Sequence, residues 1–409
     1  MRLTLSKNAT YFLKVRQDVR KISSIFLTVA YILFFSSMAT AYPDFISYGY
    51  RSCVTCHFNG SGGGGLNDYG RAVWASELVS KKLFHKKMTD EQMGEASGFP
   101  LLKESIPWWL RPGVKYRGLQ LIRDPGSKDA IEQWINMQAE ANAAAFLDKE
   151  QKIMLYGSYG YRPLPPRYKG STGDKPEEWI TREHYVRWMA REDLHLYAGL
   201  MDKVFGIKHP DHTSFNRTRT QLTMDDQSHG VLAHWIKEDY ELTGQYFLGN
   251  LQQKEKLRHS GFNVHFDKAI SERRAWGVSY LNSQNDFSQR QMMSGQIRLG
   301  LRNPGNSFLG EAGLVEEKPK GGKAATGMYT FFQSSNRVTR GYYGIMRFET
   351  WKSDISKNSG ETYRYGFGLL SFPWMRTEIR VDIYNQRTIV PGQANEDTWV
   401  AAGQIHLSI

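Results

Sequence analysis

From about Trp108 to its last residue, the chain alternates apolar and polar side chains in segment after segment, separated by clusters of Gly, Pro, Asn, Asp and Lys. Successive side chains of a strand point to opposite faces, so a period of two specifies strands and excludes a mainly helical fold. Ile135, Met137, Ala139 and Ala141 alternate with Asn136, Gln138, Glu140 and Asn142. Ile153, Leu155, Gly157 and Tyr159 keep the rule, as do Leu242, Gly244, Tyr246 and Leu248, and Tyr363, Tyr365, Phe367 and Leu369. Met375, Thr377, Ile379, Val381 and Ile383 take one face while Arg376, Glu378, Arg380 and Asp382 take the other. Trp399, Ala401, Gly403, Ile405, Leu407 and Ile409 form one side of a last strand that reaches the chain end.

A soluble sheet would bury its apolar face, whereas a transmembrane barrel turns that face to lipid and keeps charges in its lumen. Segments of about ten residues are what an outer-membrane strand needs. Charges sit opposite the apolar residues in mid-segment, as with Arg347 and Glu349 beside Met346 and Phe348. Trp108, Trp109, Trp351, Trp374 and Trp399 lie near segment ends, which suits interfacial girdles. The expected fold class is an all-β transmembrane β-barrel over residues 108–409, with about 16 antiparallel strands in a range of about 14–18. A barrel of that size encloses a wide lumen. Pro163–Trp179 and Lys318–Lys323 read as longer, extracellular loops.

The N-terminus carries an export signal. Lys7, Lys14, Arg16, Arg20 and Lys21 precede an apolar run from Ile22 to Phe35, and Ala39-Thr40-Ala41 ends it. That order is a secretory signal peptide over residues 1–41, since the run is shorter than the roughly 20 residues a membrane span needs. Its removal takes six Lys/Arg and one Asp and lowers the net charge from +12 to +7. That residual charge is modest for nucleic-acid binding, and no nucleic-acid module or phosphate-binding glycine loop is present.

Between signal and barrel, residues 42–97 hold the two cysteines of the 409-residue chain, in Cys53-Val54-Thr55-Cys56-His57. C-x-x-C-H is the attachment signature of c-type haem. The thiols of Cys53 and Cys56 would form thioethers to the haem vinyls, and His57 would ligate the iron. A zinc site would need further Cys or His ligands at finger-like spacing, and a thioredoxin-like pair would need a βαβ context. Residues 42–97 therefore read as a small haem c domain, with a helix opening at Asn67 or Asp68 and a second near Thr89. So short a segment buries little apolar surface of its own, and the haem is expected to supply much of its core. His85, Met88 and Met93 are candidate distal ligands, because Met or His in that position makes an electron carrier; a ligand from the later region stays open. A second constellation, His209, Asp211 and His212, has metal-ligating types. Pro210 places it in a loop, expected at a barrel rim and serving as a structural turn.

The order Pro43, Phe45, Cys53-Val54-Thr55-Cys56-His57, then Leu66-Asn67-Asp68-Tyr69-Gly70-Arg71, ahead of a β-barrel, resembles the fused monohaem cytochrome–porins of bacterial outer membranes. The resemblance implies one covalent haem c on Cys53 and Cys56, with His57 as axial iron ligand. It also implies electron transfer across the outer membrane of a Gram-negative bacterium, with soluble periplasmic cytochromes as partners and lipid around the barrel. Some members oxidise extracellular ferrous iron, but the run Gly62–Gly65 departs from that pattern, so this substrate is not carried over. Arg376 and Arg380 are candidate partners for haem propionates, with an internal salt-bridge lattice to Glu378 and Asp382 as the other reading. Two further function classes stay open: a diffusion porin with a haem-bearing plug or sensor, and a haem enzyme such as a peroxidase.

Overall fold

The computed structural model describes residues 43–409 except 63, 83, 98–105, 127–128, 165–176, 212, 358–359 and 409. The expected export signal, Leu83, most of the expected loop Pro163–Trp179, His212 and Ile409 thus lie outside the described residues.

Sixteen antiparallel strands form a closed barrel in which each pairs with its neighbours in sequence. Two short pieces, Trp179–Ile180 and His184–Arg191, both pair with Ile153–Tyr161 and act as one strand of the wall. The ring shuts where the first strand, Leu110–Asp124, pairs with the last, Glu396–Ser408, from Lys115 opposite Ser408 to Asp124 opposite Trp399. Among the described residues no sheet edge is left, which is the condition for a strand-built structure to cross a bilayer.

Two-residue turns such as 192–193, 272–273, 340–341 and 375–376 gather at one end of the barrel. The longer connections, including 202–227 and 248–259, leave the other. The expected loop 318–323 is at this second end, although its first two residues still belong to the strand Ser307–Pro319.

Alternation sorts the wall into two faces. Val264, Val278, Met293, Met346, Phe367 and Val381 are exposed on the outside, while their strand neighbours are buried or half-buried. Exposed tryptophans make two rings: Trp188, Trp235, Trp276 and Trp374 toward the short turns, and Trp134, Trp179 and Trp399 toward the long loops. An apolar band between aromatic girdles is the lipid-facing surface of a transmembrane barrel.

Three details depart from the period-two reading. Arg117 pairs with Gln138 but Gly118 with Asn136, so Met137 is an extra residue that shifts the phase of its strand. Met137 is therefore buried, while Ala139 and Ala141 beyond it face outward. Trp351 is not a girdle residue: it sits opposite Tyr329, turns inward and packs against a lumen cluster with Phe247 and Leu281. Met375 and Arg376 form a turn, with Arg376 at φ 66°, and the strand begins only at Thr377.

Residues 43–97 enter the lumen from the short-turn end. The helix Asp68–Val73 starts at the cap Asn67, runs on into one wider turn over Trp74–Leu78, and the helix Asp90–Ala96 opens with a capping box between Thr89 and Gln92. Their apolar faces meet the barrel wall. Leu78 packs with Tyr343, Ile345, Leu370 and Phe372, and Phe58 packs with Phe146, Tyr156, Tyr185 and Leu232. The wall thus supplies the apolar core that the segment is too short to build alone. Asp44 is fully buried at the foot of this plug, accepting hydrogen bonds from Ser307 and from Ser335 at 2.8 Å. Burial pushes its carboxyl up to about 6.

Phe367 faces lipid in mid-strand. Phe367→Arg is expected to cost about 2–4 kcal/mol of stability in folding titrations from denaturant into lipid vesicles.

Candidate functional site

Cys53–Thr55 is a single tight helical turn, closed by Cys56 N donating to Cys53 O at 3.2 Å and His57 N donating to the same oxygen at 2.9 Å. Residues three and four apart share a face of such a turn, so Cys53, Cys56 and His57 point the same way and line one cavity.

The conformation is imposed by the next motif. Asn67 donates from its amide to Thr55 O at 3.0 Å and to Val54 O at 3.3 Å, while its side-chain oxygen accepts from Gly70 N at 2.8 Å. Asn67 N donates to Cys56 O at 2.9 Å, and His57 bridges Leu66. Gly70 is compulsory here, because a Cβ would lie 2.2 Å from Cys56 O. The sequence Leu66–Arg71 is thus a clasp on the Cys-x-x-Cys-His turn. The glycine run serves close approach as well: a Cβ on Gly62, at φ 78°, would sit 3.2 Å from Cys53 Sγ.

The cavity measures about 320 Å³, within the size range of small-molecule sites. Phe45, Trp74, Leu78, Val204, Phe205 and Phe372 give it apolar walls, and Lys115, Arg117, Arg182, Lys208, Arg217 and Arg298 bring cations. Its far side is closed by the connection 202–227, which folds back into the lumen instead of staying at the rim. Lys208 donates to Gly62 O at 2.5 Å and pairs with Asp202, tying this connection to the plug. Burial pulls the Lys208 ammonium down to about 7, against the opposing pull of Glu183. Arg298 donates to Arg51 O at 3.0 Å and pairs with Asp267 at 2.8 Å.

Both cysteines are unbridged. Burial raises each thiol to about 11, with Arg298 and Lys208 pulling the other way at Cys53, so neither is a thiolate at neutral pH. Among the described residues no group of three His, Cys, Asp or Glu could hold a metal ion. Two thiols and a histidine on one helical turn, a partly open space with aromatic and aliphatic residues on its walls, and nearby cations for carboxylates are what a covalently tethered haem needs, and the residues fit it.

The other candidates are elsewhere. Met93 is fully buried with Ala75 and Val79, Met88 borders that cluster, and His85 is half-buried; none of the three lines the cavity. Arg380 reaches Asp382 at 2.6 Å and Asp211 at 3.9 Å, which is the salt-bridge lattice. Arg376 donates to Ala96 O of the plug at 2.7 Å and does not line the cavity. His209 is not at a rim either: it is buried in the lumen, stacked on Phe331 at 4.5 Å, with Nε2 shared between Asn216 and Ser214. Burial pushes its imidazole down to about 3, so it is neutral. Pro210 marked this stretch as a loop, but nothing in the sequence tells an inward loop from an outward one.

The closed ring, its two girdles and its charged interior can be set beside known structures. OmpT of Vibrio cholerae superposes with a TM-score of 0.57 at 6% identity, over 75% of this chain and 99% of its own. OprB of Pseudomonas putida gives 0.56 at 9%, over 74% and 94%. The outer membrane channel DcaP of Acinetobacter baumannii gives 0.53 at 10%, over 73% and 97%. The barrel is porin-like. At such low identity the likeness concerns fold alone. No family model matches the chain, and no curated protein matches it either.

The clasp can be tested directly. Asn67→Ala should cost about 1–2 kcal/mol through the lost helix cap, read as faster native-state hydrogen exchange at His57 and Phe58. Gly70→Ala should do more, freeing the whole Cys53–His57 turn to protease.

Proposed function

We propose that the protein is an outer-membrane electron conduit: a porin-like barrel whose lumen holds one haem c, tethered by Cys53 and Cys56 and ligated by His57. The observation that carries this reading is that the Cys53–His57 turn opens into a cavity enclosed within the lumen, between plug and inward-folded loop. Bound haem supplies one-electron uptake and release. The chain's own residues do the rest. Cys53 and Cys56 anchor, Lys115, Arg117, Lys208 and Arg298 offer charge-assisted hydrogen bonds to propionates, and the walls exclude water. Short turns face the periplasm in such barrels, so the plug faces that side, where Tyr69 and Phe84 are exposed and soluble periplasmic cytochromes are the partners. The hydrocarbon layer is about 30 Å thick, and a site held inside the lumen shortens the path that an electron must cross.

A diffusion porin is the second reading. It is favoured by the barrel's neighbours, which include an anion-selective porin from Comamonas acidovorans (TM-score 0.52, 8% identity). Against it, the lumen-facing Arg182, Arg187, Arg217, Arg290, Arg298, Arg364 and Arg380 are all buried, whereas an open water-filled pore would leave such side chains wetted.

The readings separate in lipid. The haem-loaded protein in liposomes should pass electrons between an internal and an external redox dye, and Cys53→Ser with Cys56→Ser should abolish this. In planar bilayers the intact chain should conduct far less than a chain lacking residues 43–97. Large steady conductance with no redox transfer would establish the porin reading.

A further inference from the structure

The cavity that Cys53, Cys56 and His57 share is lined by four other histidines: His209, His234, His265 and His406. A second axial ligand needs a neutral imidazole nitrogen with its lone pair free, and ligating histidines are usually held by a carboxylate on the other nitrogen. His209 fails this test, because its Nε2 is shared by Asn216 and Ser214. His265 has both nitrogens engaged, by Ser279 at 2.8 Å and Asp267 at 2.9 Å. His234 spends Nε2 on Glu241 at 2.8 Å and also keeps a buried nitrogen without a partner, but that nitrogen is the more hindered Nδ1, and it is crowded against Gly60. His406 differs. Its Nδ1 lies 3.2 Å from Glu378 Oε2, and its Nε2 is buried without a hydrogen-bond partner.

A carboxylate only accepts, so Glu378 fixes the proton of His406 on Nδ1 and leaves the Nε2 lone pair free. Both side chains are more than nine-tenths buried and come from adjacent strands, with Glu378 directly opposite His406. Trp74, on the plug's own helical run, stands 6.5 Å away from the His406 ring. Leaving a buried nitrogen unpartnered is unfavourable, so such an arrangement calls for a ligand. We propose that His406 Nε2 is the second axial ligand of the haem iron, so that the haem is held by the plug on one face and by the barrel wall on the other. This rests on the haem reading above. No bond is broken: the neutral imidazole donates a lone pair and keeps its Nδ1 proton, which it donates in a hydrogen bond to Glu378.

The test is spectroscopic, on the full-length haem-loaded protein in detergent. Pyridine haemochrome analysis first asks whether covalent haem is present; its absence overturns the haem reading itself. With haem present, magnetic circular dichroism and electron paramagnetic resonance should give a low-spin, two-imidazole signature. His406→Ala should lose it, turn high-spin and bind carbon monoxide, and added imidazole should restore it, while His234→Ala leaves it unchanged. His406→Met should shift the signature to His/Met ligation with a raised potential. A folded, haem-loaded His406→Ala that keeps the two-imidazole signature overturns the assignment, as does a wild-type protein that is high-spin or His/Met-ligated. Heat-modifiable electrophoretic mobility reports folding of each variant. If neither His406 variant folds, the wild-type spectrum decides together with His209→Ala, His234→Ala and His265→Ala, each of which must retain the two-imidazole signature; loss in any of them overturns it.

Discussion

The structure depends on the pairing of its first and last strands. In hydrocarbon an unpaired backbone amide or carbonyl costs several kcal/mol, and a sheet with two edges would leave two rows of them. Lys115–Asp124 against Trp399–Ser408 removes both rows at once. Once the ring is shut, every strand has one face in lipid and one in an enclosed interior, and period-two alternation assigns each residue to one or the other. The outward valines and phenylalanines and the inward arginines are both products of that closure.

Closure creates a second problem, which is what to do with the interior. The described lumen is filled, from one end by residues 43–97 and from the other by 202–227. Charges that would be hydrated in an open channel are instead paired with one another: Arg182 with Glu140 and Asp225, Arg347 with Asp211, Arg364 with Glu349. Such pairs contribute little net stability once desolvation is counted, but losing one partner strands a buried charge. The lattice therefore specifies a position for the inward loop, through Asp211 and Asp225, more than it strengthens the barrel. Lys208, bound both to Asp202 on its own loop and to Gly62 on the plug, is the point where the two fillings are fixed relative to each other.

Much of this was legible in the residues. Alternation named the strands and the outward faces of Ile153–Tyr159 and Tyr363–Leu369, and Asn67 and Thr89 announced the two helices of the plug by their capping chemistry. What was not legible has a common cause. Met137 is a bulge, and a single inserted residue reverses the phase without altering composition. Trp351 has the residue type and position of a girdle tryptophan, and only its register opposite Tyr329 shows that it faces inward. The cavity is the extreme case. Cys53, Lys208, Arg298 and His406 come from four regions of the chain, and no local pattern links them. Likewise, Leu66–Arg71 could be read as a helix start but not as the brace of a turn ten residues earlier.

The plug is joined to the first strand and enclosed by a wall whose last strand is the final segment of the described chain. The order of manufacture follows from that topology. The ring is completed only when Glu396–Ser408 pairs with Leu110–Asp124, and by then Cys53 and Cys56 sit behind a continuous wall. On the haem reading proposed above, a group as bulky as a porphyrin is joined to those thiols before that seam zips, so attachment precedes closure.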